Sequence, residues 1–88
     1  MIWEPRDIAW SPQVEQDLRR LQPQVADRVT RAIERYALTG IGDAVRLQGI
    51  AGEFRLRVRE WRVRFADDPE HHRLIILRVL PRGRAYER

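Results

Sequence analysis

The sequence predicts a small α+β domain in the order β-α-α-β-β-β, with two helices packed against a mostly antiparallel sheet. Three observations carry that reading. Apolar residues recur at helical spacing through residues 12–21 and again after Pro23. Residues 54–65, FRLRVREWRVRF, alternate apolar and basic side chains with the period of two that a half-buried strand requires. Residues 74–80 are nearly continuously apolar, as in a central strand covered on both faces. Eighty-eight residues make one domain (1–88) with a single core.

In chain order, Ile2–Trp10 reads as the first strand, with Pro5 marking an edge position or an irregular start. Ser11-Pro12 is a helix start: a serine N-cap, proline at the first helical position and Glu15 in the first turn. Val14, Leu18 and Leu21 then give a short amphipathic helix over 12–21. Gln22-Pro23 opens a longer one, with Val25, Val29, Ile33 and Tyr36 as its buried stripe and Arg28, Arg31, Glu34 and Arg35 facing out. Thr39-Gly40-Ile41-Gly42-Asp43 ends it. Leu47, Gly49 and Gly52 mark an irregular connection into the next strand. Asp67-Asp68-Pro69-Glu70 is a turn, and Pro81 closes the last strand ahead of the polar tail PRGRAYER.

The segment 54–65 specifies its own pairing. For a hairpin about Arg59-Glu60 to keep every apolar residue on one face, opposite partners must sum to an odd number. The tightest register pairs Val58 with Trp61, Arg57 with Arg62, Leu56 with Val63 and Arg55 with Arg64. A slip of one residue would drive arginines into the core. The outcome is an apolar underside and four guanidinium groups on top. Like charges opposite each other repel, and a polyanion is the partner that would relieve them.

Charge is divided unevenly. Residues 1–53 carry seven arginines and eight acids; residues 54–88 carry ten arginines and five acids. The second half would therefore attract an anion. All seventeen basic residues are arginine; codon bias in a GC-rich genome accounts for that most simply. Arginine forks bind phosphate in two-pronged fashion and keep their charge near neutrality, but no lysine amine is present to act as a general base. With no cysteine, thiol chemistry and disulfides are excluded. No apolar run nears the roughly 20 residues of a membrane span, and MIWEPRD lacks the features of a signal peptide, so the expected location is cytoplasmic. His71-His72, beside Asp67, Asp68 and Glu70, has no spacing of a known metal site and reads as an exposed turn. Neither a metal nor a cofactor is expected.

The order of elements, the segment SPQVEQDLRRL after the first strand, the hairpin FRLRVREWRVRF and the ending ILRVLPRGRAY together resemble the RelE/ParE superfamily of toxins over essentially the whole chain. Its most specific part is the basic strand pair followed by Arg82 and Tyr86. Within that superfamily the RelE branch cuts mRNA in the ribosomal A site. The ParE branch inhibits DNA gyrase and generally lacks the basic cluster and terminal tyrosine. Both are restrained by a cognate antitoxin in a hetero-oligomer. The resemblance implies a catalytic set of Arg55, Arg57, Arg62, Arg82 and Tyr86, with Arg55, Arg57, Arg59 and Arg64 holding RNA, and with ribosome, mRNA and antitoxin as partners. A ParE-like gyrase inhibitor and a noncatalytic RNA-binding module are the alternatives. Two positions depart from the pattern: Arg59-Glu60 replaces a Gly-Asp type turn, and Pro81 stands where many members carry a histidine.

Overall fold

The computed structural model describes residues 2–83. Its elements are β1 (Asp7–Trp10), α1 (Pro12–Arg19), α2 (Pro23–Thr39), β2 (Asp43–Arg46), β3 (Glu53–Val58), β4 (Trp61–Asp68) and β5 (Arg73–Pro81). They form one sheet in the order β1-β5-β4-β3-β2, antiparallel except where β1 runs parallel to β5. Val14, Val29, Ile33 and Ala37 of the helices pack with Leu56, Val58, Val63, Phe65, Leu74, Ile76 and Val79 of the sheet in one core.

The helix signals act as the residue types dictate. The Ser11 hydroxyl accepts from the Val14 N–H at 3.2 Å and donates to the Leu77 carbonyl, so the cap also fastens α1 to the sheet. α1 ends at Arg19, two residues short of the apolar spacing, because the Arg20 and Leu21 amides turn back to Asp17 and Leu18 before Pro23 opens α2. Gly40, at φ 74°, closes α2 by donating to the Tyr36 carbonyl.

The first strand is shorter than its sequence suggests. Residues 2–6 form a strap instead. Pro5 has no N–H for a ladder, and the Trp3 indole and the Arg6 amide both donate to the Ala37 carbonyl in the last turn of α2. Arg6 lies over the Trp3 ring and pairs with Asp67 at 3.0 Å. A short strand, β2, also forms within the segment that reads as an irregular connection.

The hairpin register is the expected one, pair for pair: Val58 with Trp61, Arg57 with Arg62, Leu56 with Val63, Arg55 with Arg64. In β5 the continuous apolar run has a different origin from the one its pattern suggests. Arg64 pairs with Arg78 but Phe65 pairs with Ile76, which leaves Leu77 as an extra residue in a bulge. The bulge resets the alternation, so Leu74, Ile76 and Val79 all reach the helix-covered face despite the odd spacing between the last two. Beyond Ile76 the β1 edge of β5 has no strand beside it. There Asp17 of α1 accepts from the Val79 N–H at 2.9 Å and grips Arg78 through two bonds of 2.8 and 3.2 Å.

Candidate nucleic-acid interface

Directly opposite residues share a face of a sheet, so the register alone assembles the surface away from the helices. One row runs Asp43, Arg57, Arg62, Leu80 across β2, β3, β4 and β5. The next runs Val45, Arg55, Arg64, Arg78. Five arginines thus lie side by side, one more than the hairpin alone supplies.

Acids divide them into two groups. Arg78 is held by Asp17, and Arg64 donates to Glu53 at 2.7 Å with both side chains largely buried. Glu53 lies two residues before Arg55, in phase with it on the same strand face. That spacing was legible in the sequence as an acid interleaved with the arginines. The second row is accordingly tied to carboxylates at Arg64 and Arg78.

The first row stays cationic. Arg62 is only 7 % exposed, and its Nη1 donates to the carbonyls of Arg59 at 2.7 Å and Trp61 at 3.0 Å. Its pKa is pushed below the ordinary arginine value, first by burial and then by Arg57, Arg55 and Arg82; Asp43 offsets part of this. Among the described residues no carboxylate lies within ion-pair distance of Arg57, Arg62 or Arg82. Arg57 and Arg82 are exposed, and Arg55 is half-buried.

Two backbone features place this group. The two-residue connection sets Arg59 at φ 55°, with its side chain exposed at the hairpin tip. The Arg82 amide donates to the Glu60 carbonyl at 2.7 Å, fixing the end of β5 against that tip. A pocket of about 220 Å³ lined by Glu60, Trp61, Pro81 and Arg82 opens beside it. The hairpin and the residue after β5 therefore meet at one corner, which brings together Arg55, Arg57, Arg62 and Arg82. Arg64 is set apart by Glu53. Tyr86 lies outside the described residues.

Elsewhere some charged groups pair along a helix turn, as Arg19 does with Glu15 and Arg31 with Asp27. His71 and His72 are exposed and contact Asp68 and Glu4 through single ring nitrogens. Among the described residues no cluster of histidines and carboxylates could hold a metal ion, and no helix is long and apolar enough to cross a membrane.

Residues 8–86 match the family model described as the ParE toxin of the type II toxin–antitoxin system, parDE. The chain belongs to the RelE/ParE superfamily of type II toxins. Solved structures agree with that placement. The toxin–antitoxin complex RelBE2 from Mycobacterium tuberculosis contains a chain 27 % identical at a TM-score of 0.74, covering 94 % of this chain and 95 % of that one. The archaeal RelE–RelB complex from Pyrococcus horikoshii OT3 shares the fold at 22 % identity and a TM-score of 0.77, over 93 % of this chain and 100 % of that one. The isolated RelE toxin of E. coli shares it at 14 % identity and 0.68, over 92 % and 88 %. No curated protein sequence matches.

Proposed function

We propose that this toxin is a ribosome-dependent endoribonuclease that cuts mRNA in the A site by attack of a ribose 2′-OH on the adjacent phosphorus. The observation that carries the reading is the Arg62 corner: a desolvated guanidinium with Arg57, Arg55 and Arg82 around it, where Arg57, Arg62 and Arg82 have no carboxylate within ion-pair distance among the described residues. Such a cluster opposes folding unless an anion compensates it, and the anion whose charge grows during reaction is a phosphorane.

The reaction needs a proton removed from the 2′-OH, charge stabilised on the phosphorane, and a proton given to the leaving 5′-oxygen. Preoriented cations meet the second need, and one such donor is commonly worth 10²–10³ in rate. Arg62 and Arg82 clamp the scissile phosphate. Arg55 and Arg57 hold flanking phosphates, and exposed Arg59 reaches the backbone beyond the tip. Arg64, tied to Glu53, contributes field rather than a direct grip. Tyr86 stacks on a base and protonates the leaving oxygen. The products are a 2′,3′-cyclic phosphate and a 5′-hydroxyl, with no cofactor consumed. The ribosome supplies orientation of the strand, so free RNA is cut poorly. The toxin acts in the cytoplasm and is silenced by a cognate antitoxin in a hetero-oligomer.

Mapping mRNA 5′ ends after induction tests this: wild type generates new ends within coding regions, and Arg82→Ala does not although it folds. Equal cleavage by both sinks the assignment. The match to the ParE family model favours a second reading, inhibition of DNA gyrase. That reading predicts loss of supercoiling activity with no new mRNA ends. Salt-sensitive RNA binding without cleavage would mark a noncatalytic RNA-binding module.

A further inference from the structure

We propose that Asp43 accepts the proton from the attacking 2′-OH, an assignment that rests on the nuclease reading above. The register puts Asp43 at the head of the row that continues through Arg57 and Arg62, one strand from the first and two from the second. Neighbouring strands lie about 4.8 Å apart, so a ribose bound along this row next to a phosphate held by Arg57 and Arg62 falls beside its carboxylate. Asp43 is exposed and carries no ion pair among the described residues. β2 is the edge of the sheet, so the charged groups facing Asp43 are those of its own row, Arg57 and then Arg62, with Arg55 in the row beside it.

The sequence secures that position. Gly42, the preceding residue, packs so closely that a Cβ there would stand 2.9 Å from Leu56 Cδ1 and 3.2 Å from Tyr36 Cδ1. This contact seats the start of β2 on the core and turns Asp43 to the opposite, arginine-bearing face. The other acids near the corner are less suited. Glu53 is engaged by Arg64, and Glu60, which lines the pocket beside Arg82, lies in the hairpin turn outside the row of Asp43, Arg57 and Arg62.

In the step itself the Asp43 carboxylate takes the 2′-OH proton as the 2′-oxygen bonds to phosphorus. The bond from phosphorus to the 5′-oxygen breaks, its electron pair leaves with that oxygen, and the oxygen takes a proton from Tyr86. Solvent then restores both side chains. A positioned base typically contributes 10²–10⁴ in rate.

Single-turnover cleavage of ribosome-bound mRNA between pH 6 and pH 8 tests the assignment, with Asp43→Asn, Asp43→Glu, Glu60→Gln and Arg82→Ala beside wild type. The expected result is a wild-type rate nearly independent of pH. Asp43→Asn should be slower by about 10²–10³ at pH 7, with a residual rate that rises tenfold per pH unit as hydroxide takes over. Its RNA binding should be as tight as wild type or tighter, because a negative charge has gone from the face. Asp43→Glu should recover part of the rate, and Glu60→Gln should behave as wild type. An Asp43→Asn enzyme within threefold of wild type, or one that slows with an unchanged pH slope, overturns the proposal while leaving the nuclease standing. A wild-type protein that makes no cut overturns the nuclease and this step with it.

Discussion

Replacing Asp17 with alanine should destabilise the fold more than any other single change to an acid. Asp17 is 7 % exposed and serves three donors: Arg78 Nε at 2.8 Å, Arg78 Nη2 at 3.2 Å and the Val79 N–H at 2.9 Å. The Val79 amide lies where β1 no longer covers the edge of β5, so its loss leaves a buried donor without a partner, at about 1–3 kcal/mol. The Arg78 side chain is 38 % exposed, so water recovers much of that half, which leaves about 1–2 kcal/mol. The sum is about 2–5 kcal/mol, against about 4–13 kcal/mol of stability for a domain of this length. Urea unfolding followed by tryptophan fluorescence reads it directly: with a slope near 1.5 kcal/mol/M, the midpoint should fall by about 1–3 M. Asp17→Asn keeps one acceptor and should lose roughly half as much. A midpoint shift below about 0.5 M for the alanine variant would refute the edge-capping role, since the slope then converts it to less than 1 kcal/mol.

Two further outcomes follow from contacts already described. Gly42→Ala forces a methyl against Leu56 and Tyr36 and should cost about 1–3 kcal/mol in the same unfolding assay, whereas Gly52→Ala, which meets no atom within 4 Å but sits at φ 76°, should cost only about 1 kcal/mol. Glu53→Gln removes the carboxylate to which Arg64 donates; filter binding to single-stranded RNA across a salt series should show tighter binding and a slope of log K against log salt steeper by about 0.7.

The parts of the fold legible in the sequence were those decided by local pattern. Ser11-Pro12 and Gly40 bound the helices through single residues whose backbone preference is strong. The register of residues 54–65 followed from strict alternation, because any slip buries an arginine. Where the sequence misled, a tertiary contact had overruled local pattern. Ile2–Arg6 carries β-forming residues but is drawn onto the Ala37 carbonyl, and the odd phase of Ile76 and Val79 comes from a bulge that periodicity cannot locate. The arginine face was readable as charge, and its internal division only in part. Glu53 could have been recognised from its in-phase spacing, whereas Asp43 belonged to a strand of four residues that has no alternation of its own and exists by pairing with β3. Distant acids such as Asp17, sixty-one positions from Arg78, leave no trace in local pattern at all.

β5 lies between β1 and β4 yet follows both in the chain. During synthesis β1 therefore waits for β5, its neighbour in the sheet, until β2, β3 and β4 have been made. The hairpin can close alone, but the corner cannot, because Arg82 reaches it only when β5 has been inserted and its amide has met the Glu60 carbonyl. Closing contacts across so much of the sequence makes folding slow relative to a local topology. Full assembly of the cationic corner is thus deferred until β5 has been made, so the nascent chain carries most of its charge before it has the arrangement that would let that charge act.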